Sequence, residues 1–316
     1  MKSDSNVKRL PSKVLVFSVT TVGLLHNSIF VSSTPEILRS LGESENLAGL
    51  LIAAGSVPGI VVAPLIGFLA DRFGRKKVLV PCLVVYGIFG LLVGLSPSLF
   101  WFLLIRIFQG LGSAGLINLV VVIISDNWAS LDRARLIGQN AAAITISVAI
   151  YPVVGGVITD LIGWRWVFLA FLAPLVVAFF VSKNLQDHQP RSDVSVREQI
   201  SGAFSEIVKP AIATNLVIVI ILFMAIFGLF QSLLPVHLER EFGLLPTGRG
   251  LVASAPAVVA ALSALAVARV RKRVQGGVII YASLLIWGIS FLMMGFGSLP
   301  IPVSYTHLTL PTILRV

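Results

Sequence analysis

The charged side chains of this sequence include one short group whose spacing could do chemistry. GFLADRFGRKKVL, residues 67–79, places Asp71 among Arg72, Arg75 and Lys76. The basic residues alone could serve only to set membrane topology. An acid among them is not needed for that purpose. Asp71 can accept hydrogen bonds from helix N-terminal amides or from a neighbouring arginine, so the group is a candidate functional site.

Two further ionisable residues lie inside apolar segments. Arg106 is the only lysine or arginine in the interior of a segment that we predict to cross a membrane, and burying an arginine there costs at least ~2.5 kcal/mol on insertion scales. It is a functional candidate or, alternatively, a structural partner for backbone carbonyls or Gln109. His26 is the only titratable group near mid-depth, because no acid falls there. It could carry a proton, or be a neutral histidine that is hydrogen-bonded within the bundle.

Uncharged polar side chains also interrupt the apolar segments and could line a central cavity, although each could instead join neighbouring helices. These residues are Asn27, Gln109, Asn118, Tyr151 and Gln231. The sequence contains no metal-ligand cluster, no nucleophile with a base and an orienting group, and no phosphate loop. We therefore expect neither an enzyme nor a cofactor.

The elements that position these residues are predicted to be transmembrane helices. Of the 316 residues, 56% are hydrophobic and 12% are charged, and the mean hydropathy is +0.96, which no soluble core could absorb. Apolar runs approach the ~20 residues that a helix needs to cross the bilayer. Backbone groups there must be satisfied within the segment, which predicts an all-α, polytopic helix bundle. The nine predicted segments are 14–34, 48–70, 78–96, 99–124, 137–159, 165–182, 211–236, 250–268 and 276–297.

The distribution of basic residues predicts the orientation. Lys and Arg concentrate in alternate loops, so we expect a cytoplasmic N-terminus in a multi-pass protein of the cell's inner (plasma) membrane. The other side receives only Arg39, Arg165, Arg240 and Arg249. The net charge of +10 therefore reflects topology, and we expect a lipid bilayer rather than a nucleic acid as partner.

Four divisions of the chain are predicted. Residues 1–183 would form a six-helix bundle, 184–210 a cytoplasmic linker, and 211–302 part of a second bundle with three helices. A weak echo between the second and third segments and the eighth and ninth favours two parallel halves. VSYTHLTLPT, residues 303–312, resembles the translation of a sequencing-library adapter, so we exclude 303–316 from the fold.

The motif at 67–79 fits the pattern G-x-L-A-D-R-x-G-R-K-x-x-L of the major facilitator superfamily at each defined position, so the chain resembles that family. The resemblance implies a twelve-helix parent, of which about nine helices would be present. It also implies a cytoplasmic gate, in which the loop forms a charge relay with Asp126. Gly67 and Gly74 would permit close helix approach and a tight turn. The gate residues are Gly67, Asp71, Arg72, Gly74, Arg75, Lys76 and Asp126.

Two other motifs resemble those of drug:proton antiporters in this superfamily. LIRIFQGLGSAG, 104–115, is similar to a motif whose arginine acts in coupling, which implies that role for Arg106. Many of these antiporters carry a carboxylate where the first segment has His26, so His26 is the second coupling candidate. The fifth segment keeps Pro152, Gly155 and Gly156 of the exporter motif, but Tyr151 replaces a glycine. The resemblance implies proton-coupled efflux of small amphipathic compounds by a monomer through alternating access. The alternatives are an uptake porter or uniporter for a small polar metabolite, and a non-transporting membrane sensor.

Overall fold

The computed structural model describes residues 10–186, 209–224, 228 and 230–270, together with isolated positions between 278 and 289. Regular structure within these residues is entirely helical, which confirms the all-α prediction. Among the described residues, six helices are long and apolar enough to cross a membrane, and they coincide with the first six predicted segments. They are α1 (Lys13–Ser40), α2 (Glu45–Phe73), α3 (Arg75–Val93), α4 (Leu99–Asn127), α5 (Ser130–Ile162) and α6 (Trp164–Asn184).

The described part of the chain after residue 209 contains three further helices, namely α7 (Pro210–Phe223), α8 (Gln231–Phe242) and α9 (Pro246–Val270). α7 and α8 fall on the seventh predicted segment and α9 falls on the eighth. The ninth predicted segment, apart from isolated positions, and the tail at 303–316 lie outside the described residues, as does most of the predicted linker. We call α1–α6 the first helix group and α7–α9 the second helix group.

Several helices extend beyond the predicted apolar segments. α1 continues to Ser40 rather than residue 34, α5 begins at Ser130 rather than 137, and α8 ends at Phe242 rather than 236. Hydropathy detects the stretch within hydrocarbon, whereas the hydrogen-bonded helix continues into the polar region at either end. Gly243, at φ 59°, adopts the left-handed conformation that ends α8.

α1 is not a continuous α-helix. Its α-helical pieces are Lys13–Gly23, Leu25–Ser28 and Thr34–Ser40, and a 3₁₀ turn covers Val31–Ser33. Such breaks leave backbone carbonyls without helical partners, and in a membrane other protein groups must satisfy them. The side chains that do so come from α3, α4 and α5.

The distribution of polar and apolar side chains is the reverse of that in a soluble protein. On α2, Ile60 and Val61 are 67% and 71% exposed, whereas Arg106 and Gln109 of α4 are fully buried. Lipid tails accept the exposed apolar side chains, and the polar ones face the interior of the bundle. We call the end at which α1 begins the proximal end, and the end at which it finishes at Ser40 the distal end.

Candidate functional site

Arg106 lies at the centre of the first helix group and donates to neutral acceptors on three helices. Its Nη1 donates to the backbone carbonyl of His26 at 2.6 Å and to Gln109 Oε1 at 2.8 Å. Its Nη2 donates to Asn27 Oδ1 at 2.8 Å, and its Nε donates to the Leu51 carbonyl at 3.3 Å. These contacts are the ones expected if Arg106 is a structural partner for backbone carbonyls and Gln109. They also hold a positive charge next to the break in α1.

Residues on the neighbouring helices α1 and α2 make room for the Arg106 guanidinium. A Cβ added to Gly55 of α2 would lie 2.5 Å from Nη2 of Arg106, so this position accepts no larger residue without moving the arginine. Phe30 of α1 presents its ring face 4.6 Å from the guanidinium carbon, a cation–π contact. Gly55 and Phe30 are therefore part of the site, although nothing in their sequence context identified them.

Tyrosine hydroxyls bind backbone carbonyls beside the break in α1. Tyr86 of α3, fully buried, donates to the Val22 carbonyl at 3.0 Å and accepts the backbone N–H of His26 at 2.9 Å. Tyr151 of α5 donates to the Thr21 carbonyl at 2.9 Å. Sequence reasoning missed Tyr86, because a single hydroxyl inside an apolar segment carries no sign of the backbone groups that it binds.

His26 is half-buried and does not bind Arg106 through its ring. Its Nδ1 lies 3.1 Å from the Gly23 carbonyl, which favours the tautomer with the proton on Nδ1. Nε2 is then the atom that could accept a proton. The ring also packs edge-on against Tyr86, with centroids 6.0 Å apart.

A small, partly open cavity of about 40 Å³ lies between the two helix groups. Its walls are mainly apolar and come from α1, α5, α8 and α9. Representative lining residues are Ser28, Val31, Pro152, Gln231, Ala253 and Pro256. The side-chain oxygen of Gln231 is buried and has no hydrogen-bond partner among the described residues.

Of the five predicted cavity residues, Gln231 lines this cavity. Asn27 and Gln109 instead bind Arg106, and Tyr151 binds the α1 backbone. Asn118 is exposed on α4. The structure thus brings Asn27, Gln109 and Tyr151 together around the break in α1, beside the cavity.

The motif in α5 lies at a crossing of three helices. A Cβ on Gly155 would overlap the carbonyl oxygen of Ile29 in α1, and one on Gly156 would overlap that of Pro246 in α9. Pro152, one turn earlier, lines the cavity. The small residues therefore allow α5 to contact both the broken part of α1 and the start of α9.

A cluster of charges at the proximal end joins α2, α3 and α4. Arg75 forms an ion pair with Asp71, and its Nε lies 3.3 Å from Asp126 Oδ2. Gly74 has φ 104° and ψ 146°, a conformation that glycine adopts most easily, and it makes the tight turn between α2 and α3. We call Asp71, Arg75 and Asp126 the proximal cluster.

The other predicted gate residues lie close to this cluster in the sequence. Arg72 is exposed and Lys76 is half-buried. A Cβ on Gly67 would meet no described atom within 4 Å, so the close helix approach that we expected there is not present among these residues.

A second cluster of charges, at the distal end, escaped sequence reasoning. The prediction that Arg249 lies in a loop is wrong, because this residue lies in the first turn of α9 and is 1% exposed. It pairs with Glu36 of α1, and its Nη1 lies 3.2 Å from Glu239 Oε2 of α8. Two acids neutralise the buried cation, so Arg106 is not the only arginine within the bundle.

Two more ion pairs flank Arg249 at the distal end. Arg39 Nη2 lies 2.5 Å from Glu239 Oε1, and Arg240 Nε lies 2.6 Å from Glu45 Oε2. The only sequence signal was that acids and bases occur together at several distal segment ends. We call Glu36, Arg39, Glu45, Glu239, Arg240 and Arg249 the distal cluster.

Comparison with known proteins identifies a family and several relatives that this chain resembles. The chain matches the Major Facilitator Superfamily model over residues 15–313. It is 24% identical to multidrug resistance protein 2 of Bacillus subtilis over 254 residues, which cover 78% of this chain and 63% of the relative. It is 30% identical to the bacillibactin exporter of the same organism over 160 residues, 48% of this chain and 39% of that protein. The chain therefore spans less than two thirds of these relatives.

Solved structures share the fold at low sequence identity. A bacterial homologue of the human lysosomal transporter Spinster, in an inward-facing and occupied conformation, superposes with a TM-score of 0.72 and 19% identity, over 95% of this chain and 72% of that one. The nucleoside transporter NupG (D323A mutant) gives a TM-score of 0.78 at 11% identity, over 95% and 80% of the two chains.

Proposed function

The chain belongs to the Major Facilitator Superfamily, and from that premise we propose that it is a proton-coupled exporter of small amphipathic compounds. Membership indicates a transporter rather than an enzyme, and the family that the motif at 67–79 suggested is confirmed. In the proposed mechanism the two helix groups rock about the cavity between them, which opens alternately to either side of the membrane.

The proposed orientation places the proximal end in the cytoplasm and the distal end outside the cell. Basic residues gather at the proximal end, among them Lys13, Arg72, Lys76 and Arg133, as expected of cytoplasmic loops. The first helix group would correspond to residues 1–183 and the second to part of 211–302, joined by a linker at 184–210. The protein would act as a monomer in the plasma membrane.

The observation that carries the proposal is the cavity between the helix groups. Its apolar walls suit the apolar part of an amphipathic compound, and the unpartnered oxygen of Gln231 could accept a hydrogen bond from its polar part. Pro152 and the glycines after it bring α5 against α1 and α9 at the wall of this cavity.

Coupling to protons would act through His26 and Arg106. A proton on Nε2 of His26 adds a second positive charge beside the Arg106 guanidinium, and the repulsion is strong away from water. Arg106 holds the His26 carbonyl and Asn27, and the next residue, Ser28, lines the cavity. Protonation would thus loosen the α1 contacts that shape the cavity wall.

The proximal cluster would organise the cytoplasmic side. Asp71, Arg75 and Asp126 bind one another at the ends of α2, α3 and α4, so in the proposed cycle they hold together the first helix group's part of the cytoplasmic gate, against which the second group would close. Gly67, Arg72, Gly74 and Lys76 would shape and charge the same loop.

The deciding experiment expresses the complete gene in an efflux-deficient host and measures the retention of a fluorescent amphipathic dye. We expect retention to fall with the protein present and to return to the empty-vector level when an uncoupler collapses the proton gradient. Arg106→Ala and His26→Gln should also restore retention. Arg165→Ala is the matched control, because Arg165 binds the backbone of Gly94 and Ser96 within the first helix group.

Two outcomes would contradict the proposal. Efflux that ignores the uncoupler would exclude proton coupling, and solute uptake that follows its own gradient would favour the uniporter. Full activity of both Arg106→Ala and His26→Gln would remove these residues from the coupling mechanism while leaving transport intact.

A further inference from the structure

The distal cluster joins the two helix groups through three ion pairs, each with one partner in either group. Glu36 pairs with Arg249, Arg39 with Glu239, and Glu45 with Arg240. The first group therefore contributes two acids and one base, and the second contributes one acid and two bases. The two surfaces are complementary in charge, which topology alone does not require.

The cluster lies one helical layer beyond the cavity on the distal side. Glu239 is four residues from Pro235 and Arg249 is four residues from Ala253, and both Pro235 and Ala253 line the cavity. Four residues make about one helical turn, roughly 6 Å along the axis. Glu36 likewise follows the cavity residue Val31 on α1 by little more than a turn.

Burial distinguishes Arg249 from the flanking pairs. Its side chain is 1% exposed, whereas those of Arg39 and Arg240 are 62% and 63% exposed. Among the described residues, Nε of Arg249 and Oε2 of Glu36 are buried without a hydrogen-bond partner. Desolvation therefore offsets much of the attraction, and water would solvate these atoms if the helix groups separated.

From this arrangement we propose that Glu36, Glu239 and Arg249 form the outer gate of the transport cycle. The ion pairs close the cavity to the distal side in the conformation described, and they must break when that side opens. Because hydration recovers much of the energy lost with the ion pairs, closed and open states can be close in free energy. The proposal rests on the proposed orientation and on transport by alternating access.

The competing interpretation is a permanent cross-link that only stabilises the fold. A cysteine thiol placed in the cavity distinguishes the gate from the permanent cross-link. Its accessibility to a reagent outside the cell depends on whether the distal side opens, not on how stable the fold is. The chain has a single cysteine, Cys82, which is buried. Ser28→Cys in the complete protein, with Cys82 and any cysteine outside the present sequence replaced by serine, therefore gives one reporter thiol in the cavity.

The experiment measures how fast a membrane-impermeant maleimide, added to intact cells, labels this thiol. We expect slow labelling with the gate intact and at least about fivefold faster labelling in Glu36→Gln or Arg249→Gln, the low end of typical shifts between two states. Arg165→Gln, a distal arginine that binds within the first helix group, should leave the rate unchanged.

A charge swap tests the contact itself. Glu36→Arg combined with Arg249→Glu restores opposite charges at these two positions but sets the new acid beside Glu239, so labelling should be slower than in Glu36→Arg alone without returning fully to the original rate. Labelling after denaturation in detergent confirms that each variant carries a reactive thiol. If Arg249→Gln fails to accumulate, Glu36→Gln gives the answer, because Glu36 is partly exposed.

Unchanged labelling in folded Glu36→Gln and Arg249→Gln would overturn the gate. Labelling in the charge swap as fast as in Glu36→Arg alone would also contradict it. The measurement needs neither substrate nor proton gradient, so the gate can fail while proton-coupled export stands. Conversely, efflux that resists the uncoupler would contradict the proposed proton coupling without affecting the labelling result.

Discussion

The proximal and distal clusters are both small networks of acids around an arginine, but they connect different parts of the molecule. Arg75 binds Asp71 and Asp126, which all belong to the first helix group. Arg249 of the second group binds Glu36 of the first. A network inside one group can persist while the groups move, whereas one that spans both must break in any rocking motion.

This difference also explains why one cluster was predicted and the other was not. Asp71 and Arg75 are four residues apart in one recognisable motif, so their pairing can be read from the sequence. Glu36 and Arg249 are 213 residues apart, and no local pattern links them. Each distal charge alone resembles an ordinary loop residue, and only the packing of α1 against α9 makes them partners.

The largest effect should come from removing Arg249 of the distal cluster, with Arg75 of the proximal cluster as the comparison. Arg249→Leu leaves Glu36 and Glu239 facing each other in a poorly hydrated site, and breaking a buried pair in this way costs about 3 kcal/mol of stability. Arg75→Leu should cost less, about 2 kcal/mol, because Asp71 is 41% exposed and can be hydrated, whereas Asp126 is 13% exposed and loses its partner in a poorly hydrated site. Unfolding of the purified protein in detergent, followed by tryptophan fluorescence, measures both. Equal losses would show that the two clusters do not differ in burial as described.

A pair of glycines gives the next test, because each cluster has one nearby. Gly156→Ala would push a methyl group into the Pro246 carbonyl where α5 meets α9, and overpacking against backbone costs about 2 kcal/mol. Gly67→Ala, beside the proximal cluster, meets no described atom within 4 Å and should change stability by less than about 0.5 kcal/mol. The same unfolding assay serves. A large loss in Gly67→Ala would indicate that the proximal motif packs against another part of the protein.

Much of the fold follows from the sequence, because apolar length alone fixes membrane helices. All six helices of the first group lie where the hydropathy predicted them, with errors at their ends. The break in α1 was not predictable. It follows Gly23, but Leu24 and Phe30 carry no signal for interruption, and the interrupted backbone is stabilised by Arg106 and Tyr86 from other helices.

The sequence predicted which side chains belong to the candidate site better than it predicted how they contact one another. Arg106 stood out because a lone arginine in an apolar segment is costly, and its partner Gln109 is three residues away on the same helix. Its other partners include the His26 and Leu51 carbonyls, and every residue has a carbonyl. Sequence therefore identifies the charge but cannot identify the backbone that receives it.

The smallest expected effect belongs to the exposed edge of the distal cluster, where Arg240 pairs with Glu45. Arg240 is 63% exposed, so water and salt screen the pair, and a double-mutant cycle of Arg240→Ala and Glu45→Ala should give about 0.5 kcal/mol or less. The same cycle on Arg249 and Glu36 should give a clearly larger coupling that persists in 0.5 M salt, since buried pairs are screened much less. If the Arg240 pair proved the stronger and the less salt-sensitive, the gate would lie at the rim of the distal cluster rather than at its buried arginine.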